Sequence, residues 1–424
     1  MTNILFVSCY SVDINNSASI ELIYYMNLLS ASGKFKVHLL TMDFPSNSIY
    51  YDSEISKLVS KDIKIHRIKG GFLLNKLLPK NIKISKEGQK NSKKALLIKM
   101  KNLFTVIDPY VSWCFKAVKY FRNQLIDEKF DIILGMHEPP SSLICSYKIK
   151  DYLIKKTSKV KFISYFSDPY CNELSRRNKN FITRKINESI ESKIVSKSDK
   201  FLFVSKDNYE YYKEKYGINS DNVQIIHRGY DIDFYNQSKG VYPKIYSKDK
   251  INVLHAGDIA LGMRNVCEFI EALDSLKKED SLKFSKLNIN FYGNINDSNQ
   301  ELLLKKKNYI SYNSRISYSK IVNYMVNADV LIIFGNKEFK QIPAKIYDYV
   351  GINAYILVIV ESYKDPLYEL VKNTQGVFCV LNNKDSIKKE IIKLLDQYNN
   401  QRNFDRNEFS NENILYKLEK IFYD

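Results

Sequence analysis

Apolar residues along this chain follow two alternating patterns. Short unbroken runs such as Ile4–Ser8, Phe35–Leu40, Phe130–Gly135, Val160–Phe166 and Asp199–Ser205 are rich in β-branched and aromatic residues. Strands buried on both faces have this composition. Between the runs lie stretches with apolar residues three and four apart, including Ser19–Leu29, Tyr110–Ile126 and 181–198, which predict helices. After a strand at Val223–His227 and a polar, lysine-rich stretch at 236–250 the pattern restarts. Strands are predicted at Ile251–Ala256, Leu287–Tyr292, Ile310–Arg315, Asp329–Phe334, Tyr355–Val360 and Phe378–Leu381. Helices are predicted from Arg264 to Leu276, over 384–396 and over 411–422. Alternating strands and helices specify parallel sheets of the α/β class, and the restart specifies two domains. At 424 residues the chain is long enough for two cores. The lone Trp113 falls on the apolar side of its helical stretch and reads as core.

Doubly wound sheets bind ligands beyond the carboxyl ends of their strands. In the first half, that rule points to Asn16 and Ser17 after the first strand, His137 and Glu138 in the turn Met136–Pro140, and Ser167 and Asp168 in the turn before Pro169. Pro169 restricts the backbone of Asp168, which is either a helix or turn cap or the best candidate here for a carboxylate near the ligand. In the second half, the loop Gly257–Gly262 leads to Arg264 and Asn265 in the expected first turn of a helix, an arrangement suited to an anion. Residues 340–360 repeat this chemistry. Pro343 suits a first helical position, Lys345 and Asp348 share a helix face, and Gly351 lies where a left-handed cap is wanted. Backbone N–H groups and Lys345 fit a diphosphate, and Asp348 fits ribose hydroxyls. The plain alternative is a solvated Lys–Asp pair on an ordinary helix.

The run P-x-K-x-Y-D-Y-x-G at 343–351, with its following strand, resembles the donor-binding signature of retaining family-4 glycosyltransferases of GT-B fold. The resemblance extends to 199–232 and 251–293, and to the Pro-Pro-Ser-Ser-Leu and Phe-Ser-Asp-Pro turns. It implies two Rossmann-like domains facing each other across a cleft, here 1–232 and 233–405, with 406–424 returning to the first domain. The implied reaction moves a sugar from a UDP- or GDP-linked donor to a glycan or lipid-linked acceptor with retention, as in bacterial surface polysaccharide synthesis. Gly257, Arg264, Asn265, Gly293, Arg315, Pro343, Lys345 and Asp348 would hold the donor nucleotide. Asp168, Arg264 and Lys345 would act in catalysis, and Asn16, Ser17, His137, Glu138, Ser167 and Asp168 would line the donor–acceptor cleft. The chain departs from the family pattern at Lys340, where the family has Glu, at Asp348 for the second Glu, at Ser167 for a frequent His, and in lacking a glycine pair after the first strand. A sugar-nucleotide 2-epimerase and a catalytically silent binding protein share the fold.

Composition adds three expectations. The six cysteines are scattered without C-x-x-C spacing and the five histidines show no ligand spacing, which fits reduced thiols and no metal site. The Asp231-Ile-Asp233 triplet is too common to read as a metal motif. With no basic leader before the first strand and no apolar run near 20 residues, the chain reads as cytoplasmic or peripheral to the inner face of the membrane. Net charge is +18, and nine lysines against one glutamate fall in 76–101. That cluster attracts anionic lipid, whereas no nucleic-acid-binding module accompanies it.

Overall fold

The computed structural model describes residues 1–48, 50–71, 106–156, 159–172, 179–230, 235–236, 238–259, 262–295, 297–337 and 342–424. The lysine cluster 76–101, Lys340 and the Asp231-Ile-Asp233 triplet lie outside the described residues. The chain divides into two units, Met1–His227 with Ile414–Asp424, and Arg228–Asn413.

Among the described residues the first unit holds seven strands: β1 (Thr2–Ser8), β2 (Phe35–Asp43), β3 (Lys64–Lys69), β4 (Ile132–His137), β5 (Lys161–Phe166), β6 (Lys200–Phe203) and β7 (Val223–Ile225). They form one parallel sheet in the order β3-β2-β1-β4-β5-β6-β7. Ile4 of β1 stands between Val37 and Ile132, so the central strands bring apolar side chains to both faces. Trp113 is fully buried on the helix Val111–Tyr120, which passes into a single π turn at Phe121–Leu125. The terminal helix Asn411–Tyr423 packs Phe422 against Phe35, with ring centroids 5.8 Å apart, and Glu419 pairs with Lys34 at 2.8 Å.

The second unit holds β8 (Ile251–Ala256), β9 (Leu287–Tyr292), β10 (Ile310–Asn313), β11 (Val330–Phe334), β12 (Tyr355–Val360) and β13 (Val377–Leu381). Its sheet is again wholly parallel, in the order β10-β9-β8-β11-β12-β13. Each sheet therefore reverses its strand order once, between β1 and β4 and between β8 and β11. Loops leaving neighbouring strands diverge at such a point and open a crevice at the carboxyl ends. In the second sheet Gly293 shapes that end. Its φ is +148°, and a Cβ there would run into the Gly257 carbonyl, so only glycine lets the loops after β8 and β9 approach this closely.

Two buried arginines fix the short helix Lys345–Val350. Arg228 donates to Asp348 Oδ1 at 2.7 Å, and Tyr235 donates to the same oxygen at 2.8 Å. Arg406 donates to the carbonyls of Tyr349, Val350, Ile352 and Ala354, satisfying the acceptors a helix leaves open at its end. Gly351 has φ −81°, so it is not the left-handed cap expected from its position. It is glycine for a different reason: a Cβ would overlap the side chains of Tyr230 and Tyr235.

Burial alone would raise the Asp348 pKa, but Arg228, then Lys345 and the Tyr235 hydroxyl, outweigh it and hold the carboxyl below its usual range. A depressed carboxyl contributes stability above its unfolded pKa and loses it as pH falls through the folded value. Urea melts of the wild type should therefore show a loss in the acid range that Asp348→Asn lacks. Arg228→Ala leaves Asp348 buried without its guanidinium and should cost about 3–5 kcal/mol at neutral pH. A melt unchanged by Arg228→Ala would show that the pair does not hold the helix.

Candidate functional site

The crevice of the second sheet opens between the loops after β8 and β11, which are tied where Lys337 N–H donates to the Met263 carbonyl at 2.8 Å. Arg264 lies in the first of these loops. The expected helix starts only at Cys267, so Arg264 precedes it by three residues, and Asn265 caps it by accepting from the Cys267 N–H at 3.0 Å. Arg264 Nε donates to Asn336 Oδ1 at 3.1 Å and its Nη1 to the Asp258 carbonyl at 2.7 Å. Both acceptors are neutral, and no carboxylate among the described residues stands within ion-pair distance of the guanidinium. Burial consequently pulls its pKa below the ordinary arginine value, with Tyr349 and Asp258 opposing more weakly. A partly desolvated, oriented cation with no ion-paired carboxylate among the described residues favours an incoming anion.

The helix Lys345–Val350 joins this place through Tyr349, whose hydroxyl accepts the N–H of Ala256 at the end of β8. Lys345 keeps about a third of its side chain exposed, with Nζ 3.4 Å from Asp348 Oδ2 and 5.5 Å from the Tyr318 ring centroid. The helix has only six residues and starts two positions after Pro343, which is buried. Asp348 departs from expectation. It is 3% exposed, Oδ1 is held by Arg228 and Tyr235, and Oδ2 faces Lys345. The role of a carboxylate open to ribose hydroxyls is thereby corrected to that of a buried anchor for the helix and for Lys345. Gly257 and Gly293 shape the loop floor, while Arg315 stands exposed after edge strand β10, two strands from β8.

The first unit brings the other group together at adjacent strand ends. His137 ends β4, buried against the rings of Phe166 and Tyr170 at 5.8 and 5.9 Å. Ser167 Oγ donates to the His137 carbonyl at 3.0 Å, joining the turns that carry Glu138 and Asp168, both partly exposed. Asn16 caps the helix Ser17–Ala31 by accepting from the Ser19 N–H at 2.7 Å, and Ser17 is exposed at its start. Behind these loops, buried Asp108 accepts from Ser141 N–H and Oγ and from Tyr110 N–H, fixing the start of the helix Pro140–Lys155. Among the described residues no group of three or more His, Cys, Asp and Glu is placed to hold a metal ion.

Sequence reasoning missed Arg228, Tyr235, Asn336, Asp365 and Arg406. Arg228 and Tyr235 could be traced from their place just after the β7 strand, but the other three carry no local signal. Asp365 is fully buried and caps the helix Pro366–Val371, accepting from Leu367 N–H at 2.8 Å. Its Oδ2 has no hydrogen-bond partner among the described residues and presses on Gly335, which follows β11. Burial lifts its pKa to about 6, against the weaker pull of the Leu367 N–H.

A raised carboxyl pKa has the opposite sign from that of Asp348: its contribution is complete below the unfolded pKa and is lost as pH rises through about 6. Asp365→Asn keeps a capping oxygen and removes the buried charge. The variant should be more stable than wild type above pH 6 by roughly 2 kcal/mol and no more stable at pH 4. Parallel stability curves across that range would mean that Asp365 does not titrate there.

Residues 84–234 match the model of Glycosyltransferase Family 4. A search of curated proteins finds no match. Among solved structures, a glycosyltransferase from Rickettsia africae is 16% identical with a TM-score of 0.54, over 100% of this chain and 96% of that one. TarM is 10% identical with a TM-score of 0.61, over 100% and 99%. A UDP-GlcNAc 2-epimerase from Neisseria meningitidis, bound to UDP-GlcNAc, is 12% identical with a TM-score of 0.56, over the whole of both chains. Likeness at such identities establishes a shared fold and nothing finer. The chain has the GT-B fold, with two Rossmann-like parallel sheets, and its residues 84–234 are similar to Glycosyltransferase Family 4.

Proposed function

We propose that this protein is a retaining glycosyltransferase. It takes a UDP- or GDP-linked sugar and transfers it to a glycan or lipid-linked acceptor, as in the building of a bacterial surface polysaccharide. The observation that carries the reading is Arg264, a desolvated guanidinium at the β8–β11 crossover, oriented by two neutral acceptors. Lys345 supplies a second, more exposed cation on the helix that touches the end of β8.

Departure of a nucleoside diphosphate develops negative charge on its oxygens, and fixed cations lower the barrier to that step. Arg264 and Lys345 together neutralise this charge in place of a metal ion. Gly257 and Gly293 let backbone approach the phosphates, and Arg315 lies near the base. In the first unit, Asp168 presents a carboxylate to the reacting sugar, and Asn16, Ser17, His137, Glu138 and Ser167 line the acceptor approach. The likeness of 84–234 to family 4 favours transfer over other GT-B chemistry.

A sugar-nucleotide 2-epimerase is the second reading, favoured by the full-length likeness to the Neisseria enzyme that holds UDP-GlcNAc. A third reading, a non-catalytic descendant, is motivated by Lys340 in place of the usual acid.

Isothermal titration with UDP and GDP should give binding to at least one of them, and a sugar-nucleotide panel should yield a transferred sugar with retained configuration. An isomerised nucleotide sugar without transfer would mean epimerisation, and no binding at all would mean a silent protein. Removing one charge-stabilising contact typically costs about 2–4 kcal/mol at the transition state. Arg264→Ala and Lys345→Ala should each lower turnover about a hundredfold or more while leaving the far-ultraviolet spectrum and melt intact. Full turnover in either variant would remove that cation from the donor site.

A further inference from the structure

The helix Phe181–Lys197 buries Thr183, Asn187, Glu191 and Ile194, and its N-terminal tip is bare on the opposite side. At its start Phe181 is 66% exposed, Ile182 72% and Ile186 40%. The face continues through Lys185, Ser189 and Ile190, at the spacing of one helix surface. A soluble surface rarely shows two adjacent large apolar side chains this bare at a helix tip. Lysines stand over the rings of Phe181, Phe115 and the largely buried Tyr147. Lys185 Nζ lies 5.8 Å from the Phe181 ring centroid, and Lys193 Nζ 5.6 Å from that of Tyr147. Lys148 Nζ lies 5.7 Å from the Tyr147 ring and 5.5 Å from that of Phe115, which is 59% exposed. The acids near this face, Glu188 and Asp151, are already paired with Lys185 and Lys197.

The helix that carries Phe115 also packs against Gly70 and Gly71. Phe115 shares a helix face with Ser112, Lys116 and Lys119. Gly71, where the described chain stops before 72–105, is packed so tightly on Ser112 that a Cβ would overlap it, and Lys116 donates to the Gly70 carbonyl at 2.9 Å.

We propose that this face docks on an anionic lipid bilayer, with Phe181 and Ile182 entering the headgroup boundary and the lysines meeting lipid phosphates. Apolar tips ringed by lysine match an interface that is apolar below and negative above. A second copy of the chain would bring like charges together on this face, which disfavours self-association. No described helix is long and apolar enough to cross a membrane, so attachment at this face would be reversible.

The test uses the full chain and vesicles of phosphatidylcholine with and without roughly one-third phosphatidylglycerol. Wild type should sediment with the anionic vesicles at low salt, release at high salt, and ignore pure phosphatidylcholine. The double variant Phe181→Ser, Ile182→Ser should bind the anionic vesicles about tenfold more weakly or worse, with an unchanged melt. In Phe181→Trp the new indole should shift to the blue on adding anionic vesicles, over a constant background from buried Trp113. Wild type that binds neither vesicle or both equally would overturn the proposal. So would a double variant that binds as well as wild type, or a wild-type dimer in sedimentation velocity that the double variant dissolves. Vesicle binding is read without donor or acceptor, so failure to dock and failure to transfer sugar are separate outcomes.

Discussion

Asp348 has almost no access to water, and much of the second unit is arranged around that fact. A carboxylate taken out of water must be neutralised or fully hydrogen-bonded. Arg228 and Tyr235 meet that demand from the segment that opens the unit, and Lys345 closes it from the same helix. Because the helix has only six residues, its own backbone bonds could not keep it in place. Arg228 secures one end and Arg406, donating to four carbonyls beyond the other, secures the second. Lys345 is thus carried on a rigid support while its ammonium stays partly in water.

Arg264 presents the reverse situation. Arg228 is buried and Arg264 half-buried, yet Asp348 beside Arg228 outweighs desolvation and raises its pKa, whereas desolvation prevails at Arg264 and lowers it. The difference is the counter-ion. A fold that had to stabilise Arg264 for its own sake would place a carboxylate beside it. This one places the amide of Asn336 and the backbone of Asp258 there, which fix direction without cancelling charge. A cation held this way is costly to desolvate and is stabilised by a nearby anion, which is the ground for the donor-site proposal.

The two sheets explain why these groups sit where they do. In each, the strand order reverses beside its first strand, so loops at the carboxyl ends part and leave polar groups exposed above an apolar core. Turns after β4 and β5 carry Glu138 and Asp168, and loops after β8 and β11 carry Arg264 and Asn336. The helix Phe181–Lys197 lies on a flank of the first unit, with Phe181 and Ile182 bare at its start.

What the sequence by itself determined follows from local rules. Buried parallel strands need unbroken β-branched runs, so β1, β8, β11 and β12 were legible as such, and their alternation with helical periodicity specified two α/β units. The places of Arg264 after β8 and of Lys345 on a short helix before β12 were legible from the same pattern. Trp113 was legible as core from its place on an apolar helix face. Only the tertiary structure decided that Asp348 is an anchor, because its partners Arg228 and Tyr235 lie more than a hundred positions away. It likewise decided that Gly351 avoids two tyrosine side chains and does not serve as a left-handed cap, and that Arg406 closes a distant helix. Whether a charge is paired, and whether a glycine serves conformation or clearance, depends on which segments meet, and periodicity along one segment carries no record of that.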